Sequence, residues 1–595
     1  MDRTGFLATF ATFGLGATLM PGLVFAQAAP KGMVTRAMID DAARIADVTI
    51  ADAQKDALLE SLNDYTTGYD AVAALHMPND VAPALDFDPV PHGMKIATRK
   101  RPLVISTART TALPSAIEDL AFASVRTLAE LVRTKRITSL ALTQMYIARL
   151  KRYDPQLKCV IMLTEERALA QARAADREIA AGKYRGPLHG IPWGAKDLLA
   201  VKGYKTTWGA GGFEQQAFDY DATVVQRLDA AGAVLIAKLT LGALAQGDKW
   251  YGGQTRNPWN TKQGSSGSSA GPASATAAGC VAFAIGSETL GSISSPSTRC
   301  GTTGLRPSFG LVPRTGAMAL SWTMDKLGPI ARSVEDCALV LAAIYGPDGG
   351  DRTVRDAAFN WNATLDYRTL RVGYLQSDFA SDGPPIPVDP KADPDGDIAR
   401  ARARRANEKP FESAALAKLR ALGVKLVPLE LPKYPYGAMR AILVAEAAAA
   451  FDDLTRSGRD ALLTEQGPYD WPNTFRAARF IPAVEYIQAN RARMLAIDAM
   501  AKLFANIDVI VAPTNSSQLV VTNLTGHPAL ILPNGFRGSD APPARMLPSG
   551  EAEAGGPGTP VSLTFLGNLY GEAKMMTLAK AYQDATTFHR QHPKL

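Results

Sequence analysis

Short apolar runs alternate with helical patterns through much of the chain, and this alternation constrains the fold more than any other feature. "CVIML", from Cys159, precedes the helix-like run "EERALAQARAADREIAAG", and "AVLIA" follows "ATVVQRLDAAG"; the same order returns at "LRVGYL" and "VKLVPL". Apolar runs of this length are typical of buried strands, whereas apolar residues every three or four positions are typical of helices. The order therefore predicts an α/β fold in which helices cover a mixed or parallel sheet.

The chain also divides along its length. Met38–Leu62 has the spacing of an amphipathic helix, and residues 66–107 form an irregular stretch that contains Pro, Asp and His. We predict an N-terminal helical extension with an irregular segment over residues 29–120, followed by a single large domain over residues 121–595.

Two stretches heavy in Pro, Gly and charge, near 381–410 and 537–558, are predicted to be surface loop insertions. The only dense basic cluster, Ala399–Lys409, lies in the first of them and is interpreted as a solvated loop face. The net charge of +7 is otherwise spread over 64 basic and 57 acidic residues. Because this charge is dispersed, we predict no nucleic-acid partner.

The N-terminus has the layout of a secretory signal peptide over residues 1–28. Arg3 precedes an apolar stretch from Phe6 to Phe25, and small residues follow at Ala26 and Ala28. We therefore expect a periplasmic or secreted protein without stable membrane insertion after cleavage. An uncleaved membrane anchor is the alternative, because the stretch approaches the roughly 20 residues that span a bilayer.

Cysteine and histidine patterns predict no metal site. The four cysteines are too few for a disulfide scaffold and none are spaced as CxxC, and the six histidines form no HExxH motif. The sequence predicts buried cysteines, no metal and no cofactor.

The Gly/Ser-rich stretch "GSSGSSAGPASATAAG", residues 264–279, permits several interpretations. A phosphate-binding loop would need a lysine that is missing, and a flexible linker would not run into the helix predicted from near Ala270. "GSSAG" matches the G-x-S-x-G pattern of a nucleophile at Ser269, but that pattern must follow a strand, and "RNPWNTKQG" is rich in turn residues. We expect residues 264–279 to form a loop whose small side chains let another group approach its main chain closely.

Two further stretches carry candidates for catalysis. "LHGIPWGAKDLLAVKG" places Lys196 among apolar and small residues, where burial would lower its pKa and let the neutral amine act as a base. After a strand predicted at Val281–Ile285, the residues Thr289, Leu290, Gly291 and Ser292 are expected to form a turn whose N–H groups converge, as an oxyanion hole requires.

Taken together, these stretches resemble the motifs of the amidase signature family from about Leu128 to His592. The stretch around Lys196 is similar to the lysine motif, "NPWNTKQGSSGSSAGPASATAAG" to the Gly/Ser loop, and "GSISSPSTRCGTTGLRPSFGLVP" to the nucleophile segment. "LGPIARSVEDCALVLAAI" and "TNLTGHPALILPNGF" resemble downstream blocks. The resemblance implies a large amidase domain with a mixed sheet.

The resemblance implies a catalytic triad of Lys196, Ser268 and Ser292. Alignment of "TAAG" with the family's "VAAG", and separately the spacing to Ser292, place the bridging serine at Ser268. Ser292 would attack the carbonyl of a small-molecule amide while Ser268, on a cis peptide bond, relays the proton to neutral Lys196. The main chain of Thr289, Leu290, Gly291 and Ser292 would hold the oxyanion, and no cofactor is implied.

The sequence departs from the family pattern at three positions. Leu290 stands where a glycine is usual, Ser294 where an arginine is usual, and Pro272 where the Gly/Ser loop usually has its third serine. The change at Leu290 predicts a restricted loop or a narrower acyl pocket. The triad positions are intact.

Several alternatives stay open. An ester or carbamate hydrolase would use the same triad, and the amidase subunit of a tRNA-dependent amidotransferase or a catalytically silent binding protein would share the fold. Asp197 and Arg306 are interpreted as structural partners, and His189 as a packed histidine. Trp193, Trp208, Trp250 and Trp322 are assigned to a pocket or to core packing, and a homodimer is left open.

Overall fold

A computed structural model describes residues 33–45, 48–73, 87–107, 113–384 and 396–595. The predicted signal peptide, residues 1–28, lies outside them. Contacts divide the chain into two compact units, one of Met1–Leu85 with Tyr434–Leu495 and the other of Asp86–Lys433 with Ala496–Leu595. This division differs from the boundary predicted at residue 120, because the segment from Tyr434 packs with the N-terminal helices.

The strands of the larger unit are mostly short. They are β1 (Val160–Leu163), β2 (Pro192–Lys196), β3 (Val234–Leu239), β4 (Lys249–Trp250), β5 (Gly253–Gln254), β6 (Arg256–Asn257), β7 (Asn260–Gly264), β8 (Phe283–Glu288), β9 (Thr303–Arg306), β10 (Lys326–Ala331), β11 (Val372–Leu375), β12 (Leu426–Leu429), β13 (Val509–Pro513), β14 (Ala529–Phe536) and β15 (Pro560–Gly567).

Eleven of these strands form one sheet, in the order β1-β3-β2-β8-β10-β9-β14-β15-β13-β11-β12. Strand β2 is parallel to β3 and β8, and β11 is parallel to β12 and β13, whereas β10 is antiparallel to β8 and β9. Every residue of β2, β3, β8 and β10 is buried. Strands covered on both faces are expected to be largely apolar, which explains apolar stretches such as "VLIA" in β3. The predicted mixed α/β sheet is confirmed.

Both units contain helices. They are α1 (Arg36–Ile45), α2 (Asp52–Ala73), α3 (Val125–Arg133), α4 (Ser139–Leu157), α5 (Glu165–Ala180), α6 (Thr223–Ala230), α7 (Ala270–Ala277), α8 (Ser294–Cys300), α9 (Val334–Ile344), α10 (Gln376–Ala380), α11 (Asp397–Ala421), α12 (Tyr436–Met439), α13 (Ala441–Ala450), α14 (Asp452–Arg456), α15 (Trp471–Ala478), α16 (Ala483–Phe504), α17 (Gln518–Leu524) and α18 (Glu572–Thr586). In the part of the chain that the structure covers, none of these helices is long and apolar enough to cross a bilayer.

Local sequence explains several helix starts. The Ser124 hydroxyl accepts a hydrogen bond from the Thr127 main-chain N–H at the start of α3, and Ser333 does the same for Asp336 at α9. These contacts satisfy N–H groups that have no partner within the helix. In the smaller unit, helices α1, α2 and α15 share a buried cluster of Ile39, Leu58, Leu62 and Ala477. The N-terminal helices thus form over the predicted region.

The first predicted loop insertion is wrong over much of its length. Helix α11 covers Asp397–Ala421 and therefore includes the basic cluster, while residues 385–395 lie outside the described residues. Ala, Arg, Lys and Glu are strong helix formers, and their propensity outweighs Pro410 inside the helix. The second predicted insertion, 537–558, forms no helix, and its β-structure is limited to an isolated bridge between Met546 and Ala552.

Candidate active site

Lys196 is the last residue of β2, which lies between β3 and β8 as the third strand from one edge of the large sheet. Its side chain is completely buried. Its side-chain nitrogen, Nζ, lies 2.8 Å from Ser268 Oγ, 2.9 Å from Ser287 Oγ and 3.1 Å from Ser269 Oγ. Two predicted site residues, Lys196 and Ser268, are therefore in direct contact, inside a cluster of three hydroxyl groups.

The hydrogen bonds of this cluster fit a neutral amine. Ser269 Oγ donates to the carbonyl of Ser287 at 3.0 Å, so its oxygen can only accept from Lys196. A neutral amine has two N–H donors and one lone pair. If Nζ donates to Ser269 and Ser287, its lone pair is left to accept the hydroxyl proton of Ser268.

Burial favours that neutral form. Desolvation lowers the pKa of Lys196 well below 10.5, and the negative charges of Asp325 and Glu288 only partly oppose this shift. Because its pKa is lowered, Lys196 is a neutral amine, and so a base, at pH values where an exposed lysine is still protonated.

The Gly/Ser loop is held tightly where it approaches Lys196. The peptide bond between Gly267 and Ser268 is cis, as the resemblance predicted. A Cβ atom on Gly267 would lie 1.7 Å from the carbonyl oxygen of Gly247, so only glycine fits there. The main-chain N–H of Ser266 donates to Asp248 Oδ2 at 2.7 Å.

The remaining serines of the loop have separate contacts. Ser265 Oγ donates to the Ser266 carbonyl, and Ser274 Oγ, inside α7, donates to the Arg256 carbonyl. Ser265 therefore stabilises the loop and Ser274 stabilises helix α7. Ser269, considered above as the nucleophile of a G-x-S-x-G pattern, contacts Lys196 directly.

Ser292 follows β8 in a turn, as predicted. The strand itself covers Phe283–Glu288 rather than Val281–Ile285. Ser292 is joined to the Gly/Ser loop because its carbonyl oxygen accepts the N–H of Ser269 at 3.0 Å. The predicted nucleophile is therefore held beside the residue that follows Ser268.

The turn leaves a row of main-chain donors available. Within the described residues, the N–H groups of Thr289, Leu290, Gly291 and Ser292 make no hydrogen bond to another protein group. Gly291 has a φ of 93°, which favours glycine, whereas Leu290 is not at a positive φ. The departure at Leu290 thus needs no unusual backbone conformation, and the four N–H groups remain a predicted oxyanion site.

The carboxylate of Glu288 accepts hydrogen bonds from the residues that end this turn. Its Oε2 atom accepts the N–H groups of Ile293 and Ser294 at 2.9 and 2.8 Å, and the Ser294 hydroxyl at 2.8 Å. Its Oε1 atom accepts Arg306 Nη1 and Asn523 Nδ2, each at 2.8 Å. Burial alone would raise the pKa of Glu288, but the Arg306 guanidinium and these hydrogen bonds lower it to about 2. The ionised carboxylate therefore ties both ends of the turn together.

The residues interpreted as structural partners do have that role. Arg306 binds Glu288, and Asp197 forms a completely buried ion pair with Lys238 at 2.7 Å. His189 is buried beside Glu178, with 3.4 Å between Nε2 and Oε2. The four cysteines are buried and free.

A cavity of about 280 Å³ lies next to the hydroxyl cluster and is lined in part by Ser287 and Thr289. Much of its wall is apolar and includes Leu198, Met318, Leu320, Trp322 and Leu327. Its charged members are Arg314, Asp325 and Asp351, of which Arg314 and Asp351 are paired at 2.8 Å. Such a cavity suits an apolar group with few polar contacts.

The four tryptophans separate into different roles. Trp322 lines the cavity and has an exposed fraction of 49%. Trp193 is buried in the core, stacked on Phe283. Trp208 and Trp250 are not among the cavity residues, so the pocket assignment holds for Trp322 alone.

Sequence reasoning missed three members of the site. Ser269 and Ser287 complete the hydroxyl cluster, and Asp325 Oδ1 accepts the Thr289 hydroxyl at 2.5 Å. Ser269 adjoins Ser268 and Ser287 precedes the predicted turn, which is a weak signal. Nothing local indicates Asp325, because it reaches the turn only through the fold. Within the covered ranges, His, Cys, Asp and Glu side chains form no group of three that could hold a metal ion.

Comparison with known proteins identifies the family of the chain. Residues 141–392 match the family model described as Amidase. The chain is 31% identical over 513 residues to a glutamyl-tRNA(Gln) amidotransferase subunit from Thermosynechococcus vestitus, covering 78% of this chain and 98% of that protein. The protein of the same name from Methylococcus capsulatus is 32% identical over 518 residues, covering 79% and 98%.

Solved structures agree with the sequence relatives. The native peptide amidase from Stenotrophomonas maltophilia superposes with a TM-score of 0.63 at 29% identity, covering 80% of this chain and 99% of that one. The mixed sheet matches the fold of these structures. This chain belongs to the amidase signature family, whose members hydrolyse amide C–N bonds.

Proposed function

We propose that this protein hydrolyses a carboxylic amide through an acyl-enzyme on Ser292, with Lys196 and Ser268 as the proton relay. The observation that carries the proposal is the buried Lys196 amine in contact with three serine hydroxyls. A neutral amine in that setting is a base that can activate a serine through Ser268.

The first half-reaction forms the acyl-enzyme. Ser292 Oγ attacks the carbonyl carbon, its proton passes to Ser268 Oγ, and the Ser268 proton passes to Lys196 Nζ. The tetrahedral oxyanion is stabilised by the N–H groups of Thr289–Ser292. When the C–N bond breaks, the leaving nitrogen takes a proton back through Ser268, so Lys196 returns to its neutral form.

The second half-reaction releases the acid. Water attacks the ester carbon of the acyl-enzyme and gives one proton to the relay, which returns it to Ser292 Oγ as the ester bond breaks. The products are a carboxylic acid and an amine, and the net consumption is one water molecule. An ester or carbamate could form the same acyl-enzyme, because the relay acts on any leaving group that needs a proton.

We infer that the substrate is a linear, non-peptide small-molecule amide with an apolar acyl group. The support is the apolar wall of the cavity beside Ser287 and Thr289. The charge of Arg314 is already balanced by Asp351, so the cavity offers an acidic substrate no free cation from that residue.

Ser292→Ala tests the proposed nucleophile. We expect it to lose turnover of aryl and acyl amides and to lose labelling by a fluorophosphonate probe, because no oxygen is left to acylate. Amide, ester and carbamate substrates with one acyl group, assayed on the wild type, decide which leaving group is preferred. Full turnover by Ser292→Ala would exclude the proposed mechanism.

Ser268→Ala tests the relay with a matched control. Without the hydroxyl that contacts Lys196 and relays the proton, we expect kcat/KM to fall by about 10²–10⁴-fold. Ser266→Ala removes a hydroxyl two positions away and is expected to retain turnover. Equal losses in both variants would indicate a general disturbance of the loop rather than a proton relay.

Trp322→Ala tests the substrate class. Loss of this half-exposed indole should raise KM for amides with aromatic or long acyl groups by roughly tenfold, with a much smaller effect on short-chain amides. Steady-state kinetics across a series of acyl lengths provides the measurement. A uniform change over the whole series would contradict an acyl-binding role.

A second candidate is the amidase subunit of a tRNA-dependent amidotransferase. It is favoured by the name of relatives that match over nearly their whole length. Such a protein would be expected to co-purify with partner subunits and to act on glutamyl-tRNA(Gln) only together with them. Turnover of hydrophobic amides by the isolated chain, without a co-purifying partner, would favour the independent hydrolase.

We further propose that residues 1–28 direct export to the periplasm or medium. The support is the apolar stretch followed by small residues, which is the usual layout of a cleaved signal peptide. Fractionation and N-terminal sequencing of the mature protein test it. A cytoplasmic protein that retains its N-terminus would contradict the proposal.

A further inference from the structure

A second cavity, of about 120 Å³, lies between helix α11 and the loop 537–558. It shares no lining residue with the cavity beside the hydroxyl cluster. Arg400, Arg404 and Asn407 line one wall from positions three and four apart, which places them on one face of the helix. The loop contributes two further arginines, Arg537 and Arg545, to the opposite wall.

Two of the arginines are only loosely paired. Arg404 and Arg545 each approach the same carboxylate, that of Glu553, at 3.5 Å. This distance is long for a charge-assisted hydrogen bond, and neither contact is bidentate. A guanidinium has five N–H donors, so both side chains keep donors for a further acceptor.

A third arginine, Arg537, is held in one position by its hydrogen bonds. The Arg537 side chain is 10% exposed, and it donates to Glu408 at 2.7 Å and to the carbonyl of Pro560 at 2.8 Å. Burial lowers the pKa of Arg537; Glu408 opposes that shift and Arg404 adds to it. The cationic side chains thus repel one another at this site.

The charges of these three arginines are not balanced by the carboxylates they contact. Arg404, Arg537 and Arg545 contact two carboxylates, those of Glu408 and Glu553, which leaves one positive charge in excess. The side-chain oxygen of Asn407 is buried and has no hydrogen-bond partner within the described ranges. Its amide can turn to present Nδ2, a donor, to a bound anion.

We propose that this cavity binds a compact oxyanion, a phosphate or a carboxylate group, between the guanidiniums of Arg404 and Arg545. Forked guanidiniums match the paired oxygens of such groups, and the cavity volume limits the bound group to a small size. The proposal is independent of the reaction assigned to Ser292.

Binding there would stabilise the attachment of the loop 537–558 to a strand that leads into the active site. Ala552 N–H donates to the Lys262 carbonyl at 2.9 Å, and Gln263 Nε2 donates to the Gly555 carbonyl at 2.7 Å. Lys262 and Gln263 belong to β7, the strand that continues into the Gly/Ser loop. An anion that holds the loop 537–558 in place therefore also supports β7.

The test is thermal unfolding and calorimetric titration of the full chain with sodium phosphate and, separately, sodium acetate, at ionic strength held constant with sodium chloride. We expect a saturable rise in Tm with at least one of the two anions, because a ligand that binds only the folded state raises stability. Whichever anion produces the rise identifies the oxyanion that the site prefers.

Three variants make the test specific. Arg404→Gln with Arg545→Gln should weaken binding by about tenfold or more. Arg404→Lys with Arg545→Lys keeps both positive charges but loses the paired N–H donors of the guanidiniums. An intermediate affinity is therefore expected. Arg173→Gln with Arg177→Gln, which removes the same charge from α5, should bind as the wild type does.

Two results would overturn the proposal. One is a Tm rise with phosphate and acetate no larger than that with chloride at the same ionic strength. The other is equal affinity in the Arg404/Arg545 glutamine variant and in the Arg173/Arg177 control. Circular dichroism of each variant shows whether it is folded before binding is compared.

Discussion

Lys196→Met is expected to lose amide turnover by at least about 10³-fold while the protein stays folded. Methionine keeps much of the volume of the buried side chain but has no amine to accept the proton of Ser268. The measurement is kcat/KM on the best amide of a screened panel, together with Tm.

The pH dependence of this variant follows from the lowered pKa of Lys196. Because the folded chain releases the lysine proton at a lower pH than the unfolded chain does, burial of Lys196 costs stability at pH values below about 10.5. That cost shrinks as the pH rises toward 10.5. We therefore expect Lys196→Met to be at least as stable as the wild type near pH 7. We also expect its stability not to rise with pH as that of the wild type does.

The activity of the wild type should report the same group. As Lys196 loses its proton, kcat/KM should rise with pH and level off well below 10.5. Lys202→Met is the control, since Lys202 is 60% exposed and pairs with Asp219. Lys202→Met should keep both the turnover of the wild type and its dependence of kcat/KM on pH. Substantial turnover by Lys196→Met would remove lysine from the mechanism.

Arg306→Met is expected to destabilise the protein by about 3–5 kcal/mol, because it leaves the buried carboxylate of Glu288 without its counter-ion. The turn that carries Ser292 depends on that carboxylate, so turnover should fall as well. Urea unfolding at several pH values measures the loss.

The sign of the pH effect distinguishes this variant from a simple packing defect. In the wild type the pKa of Glu288 is lowered from 4.5 to about 2, so its contribution is complete above pH 4.5 and is lost as the pH falls toward 2. Without Arg306 the pKa should rise, and the variant should then gain stability relative to the wild type on acidification.

Two comparisons complete that experiment. Arg368→Met removes an exposed partner of Asp366 and should change the free energy of unfolding far less than Arg306→Met does. Glu288→Gln combined with Arg306→Met leaves no uncompensated charge and should be less destabilised than Arg306→Met alone. An Arg306→Met protein as stable as the Arg368 variant would contradict the role assigned to the pair.

Local patterns were sufficient for most secondary structure and for the candidate residues. The strand Val234–Leu239 and the helix from Ala270 occur where the sequence predicts them. The local patterns failed over Asp397–Ala421. There the proline and the charged residues indicated a loop, but the helix propensity of the other residues prevailed. The association of Tyr434–Leu495 with the N-terminal helices has no local signature, because it depends on which apolar faces meet.

The chemical state of the site depends on contacts between distant segments. Lys196 and Ser287 are 91 positions apart in the chain, yet their side chains lie 2.9 Å from each other. Motifs are local stretches of sequence, so their resemblance to those of the family indicates Lys196, Ser268 and Ser292 as residues to consider. A pKa and a hydrogen-bond pattern are set by burial and by neighbouring charges, and these exist only once β2, β8 and the Gly/Ser loop have packed together.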